Sequence, residues 1–76
     1  MEPSTSLRTG LLSVVLPAYN EEESVPLAAQ VIGDLLTGAG IGHELIFVND
    51  GSRDHTWRAI QEAAARRPQV RGIRFS

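Results

Sequence analysis

The sequence has no cysteine, no lysine, and no apolar run of the roughly eighteen residues that a membrane-spanning helix needs. Without cysteine there can be no disulfide staple, thiolate zinc site or cysteine nucleophile, and the inventory fits a reducing cytoplasm. Without lysine, the seven basic residues are all arginine, and the net charge is -2. That balance excludes the broad basic surface of a nucleic-acid binder. Arg66 and Arg67 fall where a helix should end, a favourable place for positive side chains whatever the function. The first ten residues, MEPSTSLRTG, lack the apolar core of a signal peptide. There is no G-x-G-x-x-G, no G-x-x-x-x-G-K-[ST] and no Asp-x-Asp, so dinucleotide and P-loop phosphate binding lack their fingerprints. His43 and His55 stand apart from any ligand at metal spacing, and no residue of this chain is assigned to a metal.

What is present is an ordinary soluble composition, 42% hydrophobic and 21% charged, in a chain of 76 residues. A chain of that size makes at most one small domain and buries only about 60% of the surface its unfolded form exposes. Residues 1–10 read as a flexible lead-in, and residues 11–76 as the ordered part. Leu11 to Leu16 is a short, nearly unbroken apolar run ended by Pro17, the pattern of a strand buried on both faces. Ser24 can cap the helix that follows, with Pro26 in its first turn. Apolar residues at Ala28, Val31, Ile32, Leu35, Leu36 and Ala39 predict its buried face, and Gly38 and Gly40 its end.

Leu45 to Val48 is a second apolar run, followed by the turn signal Asn49 to Asp54. Asp54 or Thr56 can cap a second helix with Trp57, Ile60 and Ala64 inward, ended by Pro68. Val70 to Phe75 has strand composition, with Ile73 and Phe75 on one face. Strand, helix, strand, helix, strand at this spacing predicts an α/β fold: a parallel sheet with right-handed crossovers and spatial order 3-2-1. The most apolar strand then lies at an edge, so further strands are expected beside it and the chain reads as the opening piece of a larger domain.

Two polar loops, Pro17 to Glu23 and Asn49 to Asp54, leave the carboxyl ends of strands predicted to be neighbours. They should face one crevice, where open α/β sheets hold ligands. Tyr19 can stack on a base, Glu21 can accept from a ribose hydroxyl, and Asp50 can accept from a base N–H. Each has a plainer explanation. Glu21, Glu22 and Glu23 suit the positive end of a helix dipole, and Asn-Asp-Gly-Ser is sound turn chemistry in any protein. Arg53 could reach a phosphate or simply face water. Ser52, Asp54 and His55 are too close in sequence to assume triad geometry.

VVLPAYNEEESV at 14–25 and LIFVNDGSRDHT at 45–56 resemble the two opening motifs of the family 2 glycosyltransferases, inverting enzymes of GT-A fold. The likeness is greatest to dolichyl-phosphate mannosyltransferase and to bacterial polyprenyl-phosphate sugar transferases. It implies the β-α-β-α-β nucleotide-binding half of a Rossmann-like GT-A domain, incomplete in this chain, that binds a UDP- or GDP-sugar. By matching position, Pro17, Ala18 and Tyr19 would line the base, Glu21 would hold the ribose, and Asp50 would hydrogen-bond the base. Many members carry Asp where this chain has Asn49. The resemblance also implies Mg²⁺ or Mn²⁺ on an acidic cluster, a lipid-phosphate acceptor, and a complete enzyme at the cytoplasmic face of a membrane. The acidic cluster has no counterpart within these residues, so no catalytic residue is assigned and the chain alone is expected to be inactive. The alternative is a non-catalytic remnant or interaction module of the same fold.

Overall fold

The computed structural model describes residues 1–8, 10–51 and 55–75. The elements run β1 (Ser4–Arg8), β2 (Leu11–Pro17), α1 (Ser24–Gly38), β3 (His43–Asp50), α2 (Thr56–Arg66) and β4 (Val70–Phe75). One sheet has the order β1-β2-β3-β4. β2 and β3 pair in parallel from Leu12 with His43 to Pro17 with Val48, and β3 and β4 from Leu45 with Val70 to Asp50 with Phe75. This is the predicted parallel sheet, a partial Rossmann-like GT-A arrangement with the strand from the second apolar run at its middle.

β1 pairs antiparallel with β2, Ser4 opposite Val15 through Arg8 opposite Leu11. It lies within the segment read from sequence as a flexible lead-in and takes the edge where a further strand was expected. All five of its side chains are exposed, so it is held by main-chain pairing and leaves no apolar pattern to read.

The core lies between the sheet and the two helices, which pack on one face and against each other. From that face Val14 and Leu16 of β2, Leu45 and Phe47 of β3 and Val70 of β4 meet Val25 and Ala29 of α1 and Ile60 and Ala63 of α2. Fully burying a side chain such as Phe47 or Leu45 is worth about 1.5–3 kcal/mol, so these few contacts carry much of the stability of so small a domain. The opposite face presents Val15, Ile46 and Val48 half-buried, and Ile73 and Phe75 exposed.

α1 begins at Ser24 rather than after it. The residue in the N-cap position is Glu23, whose side chain makes no capping bond. The first free N–H groups are met instead by a main-chain oxygen, with Ser24 N and Val25 N both donating to Glu21 O at 3.1 Å. At the far end Gly40 N donates to Thr37 O and Ile41 N to Leu36 O, the paired bonds of a Schellman ending. Gly40 at φ 71° supplies the left-handed residue that such an ending requires.

The buried face of α1 is rotated from the predicted one. Val25, Ala29 and Gly33 are buried; of the predicted stripe, Ala28, Ile32 and Leu36 are partly buried against the core, whereas Val31 and Leu35 are 57% and 69% exposed. Two of the three buried residues are small, and a reading based on large apolar side chains passes over them. α2 buries Thr56, Ile60 and Ala63, with Trp57 and Ala64 partly covered. Its end agrees with the sequence: Arg67 is extended, as the residue before a proline should be. The proposed cap Asp54 lies outside the described residues. Among the described residues no helix is long and apolar enough to cross a membrane.

Candidate functional site

The parallel register of β2 with β3 continues past the strand, with Ala18 N donating to Val48 O at 2.8 Å. Both loops therefore leave the sheet side by side at its carboxyl end. β2 turns into α1 through Asn20, a non-glycine residue in the left-handed region at φ 51°, where asparagine is among the more tolerant side chains. β3 turns away through Gly51 at φ 71°, whose N–H donates to Phe75 O at 3.2 Å.

The five predicted residues do not present themselves equally. Pro17 is exposed and Tyr19 is 55% exposed, so the tyrosine ring is open for stacking. Ala18 is buried in the core cluster; its methyl offers no surface to a base, and any contribution from that position comes from its backbone. Glu21 is partly covered, and the amino group of Met1 stands 3.8 Å from its Oε2, because antiparallel β1 runs residues 1–3 towards the carboxyl end of β2. A hollow of about 270 Å³ beside it is lined by Asn20, Glu21, Glu22, Glu23 and Ser24.

Asp50 is exposed at the last position of β3. The strand reaches two residues beyond Val48, and alternation sends neighbours to opposite faces, so the side chain that enters the packed face is Asn49. Asn49 is 2% exposed, and its Oδ1 has no hydrogen-bond partner among the described residues. An orphaned buried acceptor costs about 1–3 kcal/mol, and this one lies at the carboxyl end of β3.

Sequence reasoning treated Thr56 only as a cap. In the structure it is fully buried at the first position of α2, and its Oγ1 accepts from Glu21 N at 2.8 Å, joining the first loop to the start of the helix that follows the second. Arg53 and Ser52 lie outside the described residues. A larger groove of about 630 Å³ runs between α1 and α2, with Arg58, Glu62 and Arg66 on its lining, but it includes none of the five predicted residues. Among the described residues, no three His, Asp or Glu side chains gather where they could hold a metal ion.

The sequence profile described as "Glycosyl transferase family 2" matches residues 13–76. The chain belongs to glycosyltransferase family 2. Its relatives in that family include the undecaprenyl-phosphate 4-deoxy-4-formamido-L-arabinose transferase of Pseudomonas paraeruginosa, 41% identical over 56 residues, which are 74% of this chain and 16% of that protein. The uncharacterized glycosyltransferase YkcC of Bacillus subtilis is 36% identical over 64 residues, 84% of this chain and 20% of the relative. The prophage bactoprenol glucosyl transferase homolog of Escherichia coli is 32% identical over 65 residues, 86% and 21% of the two chains. The chain thus spans about a fifth or less of the length of these family 2 relatives.

Proposed function

We propose that the chain is the nucleotide-diphospho-sugar-binding segment of an inverting glycosyltransferase, which moves a sugar from a UDP- or GDP-sugar to a polyprenyl phosphate. The observation that carries this reading is the parallel pairing of β2 with β3, which sets the Tyr19–Glu21 loop and the Asp50–Gly51 turn at one end of the sheet. Family membership and the acceptors in the relatives' names, bactoprenol and undecaprenyl phosphate, support the donor and acceptor classes.

In this reading Tyr19 stacks on the base, Asp50 accepts a hydrogen bond from it, and Glu21 accepts from a ribose hydroxyl. Pro17 and the Ala18 backbone form the adjoining wall. All three contacts bind and orient the donor, and none moves a proton. The Mg²⁺ or Mn²⁺ that the family implies would offset the charge of the departing diphosphate. The described residues do not fit it, since no acidic cluster of the required size forms among them. Metal ligands and the base that activates the acceptor belong, in this proposal, to parts of a full-length enzyme with no counterpart here. A lipid-phosphate acceptor would place that enzyme at the cytoplasmic face of a membrane.

The test is calorimetric titration with UDP and GDP. Asp50→Asn keeps size and backbone but removes the charge and turns one acceptor into a donor, so nucleotide binding should weaken by about 1.5–3 kcal/mol, roughly ten- to a hundredfold. Glu62→Gln, an exposed change on α2, is the control and should bind as the parent does. Equal affinities for the two variants would leave Asp50 an ordinary turn residue.

A further inference from the structure

We infer that Thr56 is a positioning residue for nucleotide binding, acting through the backbone of Glu21; this rests on the nucleotide-binding reading above. Each main-chain polar group of Glu21 is held by a different helix start. Its N–H donates to Thr56 Oγ1 at 2.8 Å, across 35 positions of sequence, and its C=O accepts from Ser24 N and Val25 N of α1. The carboxylate therefore hangs from a Cα whose two flanking peptide units are both held, with the Met1 amino group 3.8 Å from its Oε2.

The hydroxyl at the start of α2 thus reaches the other loop. The N-cap position of α2 is His55, which makes no side-chain capping bond, and Glu23 makes none for α1. Among the described residues, the last main-chain bond from β2 to β3 is Ala18 N to Val48 O. The Thr56 to Glu21 bond joins the two loops beyond that point. Thr56 is fully buried, which ties Glu21 to the packed part of the molecule rather than to a mobile surface group. Replacing Oγ1 with a methyl would leave the Glu21 N–H unpaired at that position, and the peptide unit would turn towards water, carrying the carboxylate with it. Thr56 touches no ligand; its effect on affinity passes through Glu21.

The experiment is a double-mutant cycle on this chain, titrated with UDP and with GDP, and with folding checked by thermal melts. Thr56→Val should weaken binding about tenfold, and Thr56→Ser, which keeps the acceptor, should stay within about twofold of the parent. In a Glu21→Ala background, Thr56→Val should add almost nothing, because the group it positions is gone. An undiminished tenfold loss in that background would show that Thr56 acts independently of Glu21 and would overturn the inference. A parent chain that binds neither nucleotide overturns the site reading itself, and this inference with it, an outcome distinguishable from the first because there the parent binds. Should Thr56→Val fail to fold, amide exchange in the parent decides: Glu21 N–H should exchange at least about tenfold more slowly than Glu22 N–H. Equal rates would overturn the assignment.

Discussion

Gly72 of β4 lies directly beneath Ile60 of α2: a Cβ added at Gly72 would stand 2.5 Å from Ile60 Cγ2 and 3.0 Å from the Trp57 ring. The close approach lets α2 settle on the edge strand and keeps Ile60 fully buried. Arg74, two residues along on the same face, has its guanidinium carbon 5.7 Å from the centre of the Trp57 ring, so the glycine also brings the indole within reach of a cation–π contact. Alanine at position 72 would gain about 0.5–1 kcal/mol from a less flexible unfolded chain. The clash involves a packed core side chain and wins: Gly72→Ala should destabilise by about 1–3 kcal/mol. Urea unfolding measures it, and a neutral result would mean that α2 sits higher on the sheet than described.

Gly33 gives the opposite expectation from a similar distance. A Cβ there would come 2.9 Å from Arg67 Nη1, but that atom is the far end of a flexible side chain. The contact at risk is the Arg67 to Asp34 ion pair at 3.1 Å, an exposed pair worth about 0–1 kcal/mol. Alanine in a helix interior gains about 0.8–1 kcal/mol over glycine. Gly33→Ala should therefore be neutral or slightly stabilising, with Arg67 swung aside. A loss as large as that for Gly72→Ala would show that the backbones of α1 and α2, and not only Arg67, depend on the missing side chain.

Leu35 and Val31 on the outer face of α1 test the rotated helix. With both side chains largely in water, Leu35→Gln and Val31→Gln should each change stability by less than about 0.5 kcal/mol. Ile32→Ala on the partly buried face should cost clearly more. The reverse order in denaturant titrations would put Val31 and Leu35 back in the core.

These residues also show what could be read in advance. Leu11–Leu16 and Leu45–Val48 were legible as short apolar runs and Val70–Phe75 by its strand composition, and their order follows from the handedness of the crossovers. Leu11–Leu16 was read as buried on both faces, but the helices cover only one, and Val15 on the other is half-buried. β1 was not legible, since Ser4–Arg8 buries no side chain and is held only by backbone pairing. The facing of α1 was read only in part, with Ala28, Ile32 and Leu36 against the core, because the buried Ala29 and Gly33 carry almost no hydrophobic signal. At the site, the motif placed both loops at the correct end of the sheet. Strand alternation decided that Asn49 rather than Asp50 is buried, and it could not be applied until the true end of β3 was known. The Thr56 tether is a contact across 35 positions that no local pattern encodes.

Amide chemical-shift mapping during titration with UDP and with GDP decides whether the loops at the carboxyl ends of β2 and β3 form a nucleotide site. Saturable shifts are expected for one of the two, concentrated at Tyr19, Asn20, Glu21, Asp50 and Gly51, with the amides of β1 and the carboxyl end of α1 unmoved. Shifts confined to the Arg58, Glu62 and Arg66 groove between the helices, or none with either nucleotide, would contradict the nucleotide site.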